Sequence, residues 1–248
     1  MKKQMHLAAQ YLAAAGISFL EKKEDDSHTN LGFNVKAAAL ETHILSKNED
    51  QLTLNYRDFS LVWKSKTNSA TFNLDKKSHQ EVLAWLTETS KRFLNKTYAY
   101  SFHYSLPYEI DESFIFELKN SSELNELIQL RTLAETSLDK INKQFQLNSN
   151  PRVWPHHFDT GIYGKLSNTE IFVGLGLAIP DYVCKEHYFY TSGYKENTTI
   201  KTSNFQSLKI GAWKNEDFKG AVLPKSKAAE MDVIDFFKET IKQYKNYN

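Results

Sequence analysis

The sequence predicts an α+β protein of two related halves, each mainly antiparallel strands flanked by helices. Three observations lead there. Apolar residues alternate with period two in many short segments, the pattern of half-buried strands. Around those segments, apolar residues recur at three- and four-residue spacing behind capping signals, as amphipathic helices require. The order helix, antiparallel strands, helix then occurs twice along the chain, as expected of a duplicated unit.

Leu7, Tyr11, Leu12 and Ala15 lie at helical spacing, and Gly16 suits a helix end. Lys2-Lys3 ahead of an alanine-rich run superficially resembles a secretion signal, but Gln10 interrupts the run, so an ordinary amphipathic first helix is expected. Phe33, Val35, Ala37 and Ala39 alternate as one face of a strand. Leu52, Leu54 and Tyr56 alternate before Arg57-Asp58, and Phe59, Leu61 and Trp63 after it, which predicts a hairpin. A third strand follows at 70–74. Ser78 with Glu81 three residues on forms a capping box for a helix carrying Val82, Leu83, Trp85, Leu86 and Phe93. Aromatic strands are expected at 98–104 and 114–118, and Ser121-Ser122 opens a long helix from Leu124 to Phe145.

In the second half, residues 170–179 read as a strand with Ile171, Val173, Leu175, Leu177 and Ile179 on one face. Gly174 and Gly176 fall on the other, leaving room for a backbone or helix. No glycine-rich turn into a helix follows, so Gly-Leu-Gly is read as a packing feature and not a phosphate loop. Tyr188-Phe189-Tyr190 is another strand, 193–207 a polar loop, and 228–244 a closing helix burying Met231, Val233, Ile234, Phe236, Phe237 and Ile241.

The repeat rests on the closing helices: Val82–Thr89 superimposes on Val233–Thr240 at a constant offset of 233 − 82 = 151. Upstream, Phe33-Asn34 can be laid on Phe158-Asp159 at 158 − 33 = 125, so 151 − 125 = 26 extra residues belong to the second half, mostly in the 193–207 loop. The expected division is 1–118 and 119–248, as two domains or as one compact domain of two repeats.

Composition bounds the function classes. With 41% hydrophobic and 13% aromatic residues, 248 residues bury a sizeable core without staples. The 31 basic and 30 acidic residues nearly cancel, so no overall field draws the chain to nucleic acid or an anionic membrane, and neither partner is expected. No apolar stretch approaches the roughly 18 residues of a membrane span. Cys184 is the single cysteine, so no internal disulfide forms and a cytoplasmic location is expected; after Tyr182 and Val183 it reads as a packed strand residue.

Chemistry concentrates in Val153-Trp154-Pro155-His156-His157-Phe158-Asp159-Thr160-Gly161. If this segment is extended, Trp154, His156 and Phe158 point one way and His157 and Asp159 the other, and Pro155 keeps it at an edge or bulge. Glu186 and His187 precede an aromatic strand that an antiparallel neighbour would bring opposite. The candidate ligand-binding residues are therefore Trp154, His157, Asp159 and Glu186, and the candidate ligands for a divalent metal are His157, Asp159, Glu186 and His187. No other cofactor is evident, and no nucleophile elbow, phosphate loop or His-Glu-x-x-His is present. The leading expectation is a binding protein for a small polar molecule. The alternatives are a metal-assisted hydrolase using the His/Asp/Glu cluster, and a non-catalytic structural or interaction protein in which Asp159 bonds to backbone at a turn. Oligomeric state is not set by these patterns.

Val153-Trp154-Pro155-His156-His157-Phe158-Asp159, then Glu186-His187-Tyr188-Phe189-Tyr190, Gly220-Ala221-Val222-Leu223-Pro224 and a closing apolar helix resemble an uncharacterised bacterial family. Its members share a Trp-x-x-x-Phe-Asp segment, an aromatic strand, a Leu-Pro turn and a C-terminal helix. The resemblance covers roughly residues 145–245, implies no activity, and supports Phe158 and Asp159 more than His156 and His157.

Overall fold

The computed structural model describes residues 1–101, 104–106, 111 and 113–247. Among them the chain forms helices and two mainly antiparallel sheets, the α+β class that the patterns predict. It divides into two compact units, Met1–Thr132 with Val153–His157, and Leu133–Arg152 with Phe158–Asn248. The division falls inside a helix, not at residue 118, and the chain returns to the first unit for the five residues Val153–His157.

The first unit opens with α1 (Lys2–Phe19). Every residue from Met5 to Gly16 is buried, so this is a central helix and not the amphipathic surface helix expected. Its alanines leave room for neighbours on all sides, and an all-round buried helix carries no polar stripe. Gly16 does not end it; a Cβ there would stand 2.6 Å from the His28 carbonyl oxygen, so the glycine admits a crossing backbone.

Five strands follow as a meander, β1 (Gly32–Asn34), β2 (Ala39–Glu41), β3 (Gln51–Asn55), β4 (Ser60–Lys64) and β5 (Ser69–Asn73), in that spatial order. Val35 and Ala37 lie in a turn and not in one long strand: Asn34 Oδ1 accepts the Ala37 N–H at 3.0 Å, and the chain reverses into β2 with Phe33 opposite Leu40. The predicted hairpin is present as β3–β4, with Leu54 opposite Leu61. Trp63 is fully buried, its indole N–H donating to Asp50 Oδ1 at 2.9 Å. The helix α2 (His79–Leu94) carries the predicted capping box, Ser78 and Glu81 bonding reciprocally. Residues 98–101 and 104 are not strand, 102–103 lie outside the described residues, and 114–118 contributes only a bridge between Ile115 and Ser78. The long helix α3 (Ser121–Phe145) forms as expected.

The second unit holds β7 (Thr160–Lys165), β8 (Ile171–Ala178), β9 (Tyr188–Lys195), β10 (Thr198–Thr199), β11 (Ala212–Asn215) and β12 (Lys219–Pro224), closed by α4 (Glu230–Lys245). With β6 (Arg152–Val153), the sheet order is β11–β12–β9–β8–β7–β6, and β10 pairs with β9. The loop expected at 193–207 is partly strand: β9 runs to Lys195, Glu196 and Asn197 turn with positive φ, and β10 returns. Met231 faces solvent in the first turn of α4, ahead of the apolar stripe. That stripe packs on one sheet face, with Phe237 edge-on to Phe189 at 6.0 Å and the Thr240 hydroxyl donating to Thr191 Oγ1 at 3.0 Å. Gly193 is required there, since a Cβ would fall 2.2 Å from the Tyr244 ring.

The two units share a local plan. Leu40↔Leu54 and Thr160↔Leu177 correspond at offsets 160 − 40 = 120 and 177 − 54 = 123; Leu54↔Leu61 and Leu177↔Phe189 continue at 189 − 61 = 128. Ser60↔Asn73 then matches Tyr188↔Pro224, where 224 − 73 = 151. The closing helices match at the same 151, residues 79–94 against 230–245. Each N-cap N–H donates to the acidic side chain three residues on, Ser78 to Glu81 at 2.9 Å and Ala229 to Asp232 at 2.8 Å. Buried Val82, Leu86, Thr89 and Ser90 fall at Val233, Phe237, Thr240 and Ile241. The excess between the last two strands of the meander is 151 − 128 = 23 residues, which include β10 and β11. Strand order sets Asp159 at the place of Ala39, because 159 − 120 = 39, and not of Asn34, which lies in β1.

Gly193→Ala is expected to lower the unfolding free energy by about 1–3 kcal/mol through overpacking against Tyr244. Denaturant titration checks this, and the same change in a Tyr244→Ala background should cost measurably less.

Candidate functional site

The motif from Val153 to Thr160 is not extended. Pro155, His156 and His157 form a turn, Phe158 takes φ 59°, and β7 begins only at Thr160, so strand alternation does not sort these side chains into two faces. A left-handed conformation is costly for a bulky residue. Burial of the Phe158 ring, 1% exposed, holds it.

Trp154 and His157 belong to the first unit. Trp154 is half-buried and stands edge-on to His156 at 6.0 Å; His156 lies 4.9 Å from the Tyr104 ring and 4.2 Å from His157, which is exposed. The turn is tied to α1 through the Pro155 carbonyl, which accepts from His6 Nε2 at 2.7 Å and Gln10 Nε2 at 2.8 Å. Burial pushes the His6 imidazole down to about 4; the bond to Pro155 opposes this, while the charges of Arg131, His156 and His157 reinforce it. His6 is therefore a neutral donor at pH 7, and His6 and Gln10, set in the buried stretch from Met5 to Gly16, have a structural task.

Asp159 and Glu186 belong to the second unit. Tyr190 donates its hydroxyl to Asp159 Oδ2 at 2.6 Å. The other oxygen, Oδ1, is buried and accepts no hydrogen bond among the described residues. The geometry depends on two glycines. Gly161, Gly176 and Tyr190 stand opposite one another across β7, β8 and β9. A Cβ at Gly176 would lie 2.7 Å from the Tyr190 hydroxyl, and one at Gly161 3.0 Å from it. The ring thus lies along the sheet over positions without side chains, and its hydroxyl reaches the carboxylate. Burial first, then the Asp159 charge and hydrogen bond, hold the Tyr190 hydroxyl well above its ordinary value. The space expected to admit a backbone or helix admits tyrosines; beside Gly174 stand Tyr163, Ser192 and Tyr194.

A cleft adjoins Tyr190 through Phe218. Phe218 meets Tyr190 edge-on at 6.3 Å, and Tyr188 donates to Asp181 Oδ2 at 2.8 Å. A surface cavity of about 380 Å³ opens beside Phe218, lined also by Tyr182, Val183, Lys214, Glu216 and Asp217. Tyr182 is 70% exposed. Cys184 lies in the adjoining turn, its N–H bonded to Asp181 Oδ1 at 3.2 Å, and not in the strand expected from its neighbours.

Glu186 is bound elsewhere. It accepts the Ser226 N–H and hydroxyl, each at 2.7 Å, capping the short 3-10 turn Lys225–Lys227, and these bonds hold its carboxyl below the usual range. The His187 carbonyl accepts the Lys225 N–H at 2.8 Å. Asp159 and Glu186 thus have different partners, and no group of three or more His, Cys, Asp or Glu side chains among the described residues is placed to hold a metal ion. Tyr190, Gly161 and Gly176 were not singled out in the sequence as site residues. The signal that marks them is the pairing of small residues with a tyrosine across three strands, Gly161 opposite Gly176 and Gly176 opposite Tyr190.

His6→Gln retains a donor for Pro155 and should flatten the acid dependence of stability. The folded imidazole sits below the unfolded value of 6.5, so the unfolded chain takes up its proton first; stability falls between pH 6.5 and about 4, by on the order of 3 kcal/mol, and urea titrations across that window measure it. Tyr190→Phe leaves Asp159 without its donor and is expected to cost about 1–3 kcal/mol of unfolding free energy.

No protein-family model, no curated protein and no solved structure matches the chain.

Proposed function

We propose that the protein binds a small polar ligand, and that its second unit recognises a hydroxyl or amino group of that ligand at Asp159. One observation carries this reading: Asp159 Oδ1 is a buried carboxylate oxygen with no donor among the described residues, beside a tyrosine whose hydroxyl is already committed to Oδ2. A buried acceptor left open is costly, and a donor supplied by a ligand removes that cost. Phe218, whose ring meets Tyr190 edge-on, joins Tyr182 and Trp213 in walling the adjacent cleft, with Lys214, Glu216 and Asp217 also in its lining, the mixture of aromatic walls and few polar groups by which small molecules are oriented.

We also infer that the two halves descend from one duplicated unit, on the strength of the shared register, cap and buried helix positions. At the register offsets, Asp159, Gly161, Gly176 and Tyr190 stand where the first unit has Ala39, Glu41, Thr53 and Val62. None of the four is shared, so binding is a property of the second half alone. Among the described residues no helix is long and apolar enough to cross a membrane.

The test is thermal unfolding against a panel of polyols, amines and amino acids. A ligand at a hundredfold excess over Kd should raise Tm by on the order of 5 °C. The rise should vanish in Asp159→Asn, which keeps the side-chain shape and replaces one oxygen by a donor. Absence of any Asp159-dependent shift across the panel rejects the reading.

A further inference from the structure

The outer edge of β5 carries an inference that does not rest on the ligand reading. Within the β4–β5 ladder, the Leu74 N–H donates to the Phe59 carbonyl at 3.0 Å and the Ser65 N–H to the Asn68 carbonyl at 2.8 Å. Antiparallel pairs alternate between hydrogen-bonded and non-bonded, so Ala70 and Phe72 also turn their backbone groups toward β4. Ser69, Thr71 and Asn73 therefore turn theirs away. Those three residues are exposed, and β5 is the last strand of its sheet.

The second unit shows what this position accepts. Its counterpart of β5 is β12, which pairs with β9 as β5 pairs with β4. The far edge of β12 is covered by an antiparallel strand, β11, with Ala212 opposite Val222 and Lys214 opposite Gly220. At the offset of 151, Val222 and Gly220 are Thr71 and Ser69. The 23-residue excess of the second half includes that covering strand, and among the described residues the first half has no strand in its place. Nor is the edge blunted: Ser69-Ala70-Thr71-Phe72-Asn73 contains no charge, proline or glycine, although exposed edges are ordinarily protected by such residues.

We propose that β5 pairs with β5 of a second copy of this chain, antiparallel about a two-fold axis at Thr71, joining two five-stranded sheets. The match is self-complementary. Thr71 faces Thr71 of the second copy and Ser69 faces its Asn73, giving about six backbone hydrogen bonds from groups that otherwise face water. On the opposite face, Phe72, packed on Trp85 at 5.3 Å, comes opposite Ala70 of the second copy and loses exposed ring surface. Of the lysines flanking the strand, Lys66 is paired with Glu49 at 3.1 Å and Lys77 with Glu81 at 2.9 Å, while the exposed Lys76 lies three residues beyond Asn73, outside the paired segment.

Sedimentation velocity of the full chain from micromolar to about 100 µM tests the pairing. The unaltered protein should sediment as a dimer. Thr71→Pro removes one outward N–H that the monomer does not use, and Thr71→Lys places two like charges at the axis; both should sediment as monomers. Circular dichroism and Tm close to those of the unaltered protein establish that the variants are folded, and should Thr71→Pro fail to fold, Thr71→Lys decides. A monomer at every concentration, or a dimer that survives in a folded Thr71 variant, overturns the proposal.

Discussion

Each antiparallel meander has an apolar face, and the helices of its unit must remove that face from water. In the second unit this demand fixes more than the helix. Thr240 finds the Thr191 hydroxyl, Phe237 meets Phe189, and Tyr244 takes the volume that Gly193 leaves empty. With that face committed to α4, the tyrosines of β9 must stand on the other. They are accommodated because β7 and β8 present glycines where Tyr190 crosses them. The position of the Asp159 carboxylate partner is thus set from the opposite side of the sheet.

Asp159 and Tyr190 also show how one hydrogen bond leaves chemistry over. A carboxylate has two oxygens, and a phenol has one proton to give. Once Oδ2 is satisfied at 2.6 Å, Oδ1 keeps its appetite for a donor, and its burial denies it ready access to water. Glu186 shows the opposite outcome, since Ser226 supplies a backbone N–H and a hydroxyl, one to each oxygen. Two acidic residues of similar prominence in the sequence therefore differ in what they have left to offer.

Local signals in the sequence were reliable where geometry is local. The capping box at Ser78 and Glu81, the hairpin around Arg57-Asp58 and the length of α3 depend on residues a few positions apart, and each is present. The burial of α1 on all sides was not legible, because helical spacing describes one face and cannot count the neighbours on the others. The segment at 154–159 misled for a related reason. Alternation assigns sides only to an extended chain, and here the Pro155 carbonyl is drawn back by His6 and Gln10, residues about 150 positions away. The Tyr190–Asp159 bond was hidden likewise: it depends on three strands in register, and register is a property of pairing.

The return of Val153–His157 to the first unit bears on how the chain is made. Leu31 and Val153 exchange both backbone hydrogen bonds, at 2.9 and 2.8 Å, and Pro155 receives the two polar groups of the central helix. During synthesis the first unit cannot finish when its own meander and α2 have emerged. Until residue 157 clears the ribosome, His6 and Gln10 lack the carbonyl they are buried to meet. A truncation after Thr132 would keep every strand of the first sheet and still remove both the Pro155 carbonyl that His6 and Gln10 share and the Val153 partner of Leu31, so the boundary between the units is a costly place to cut the gene.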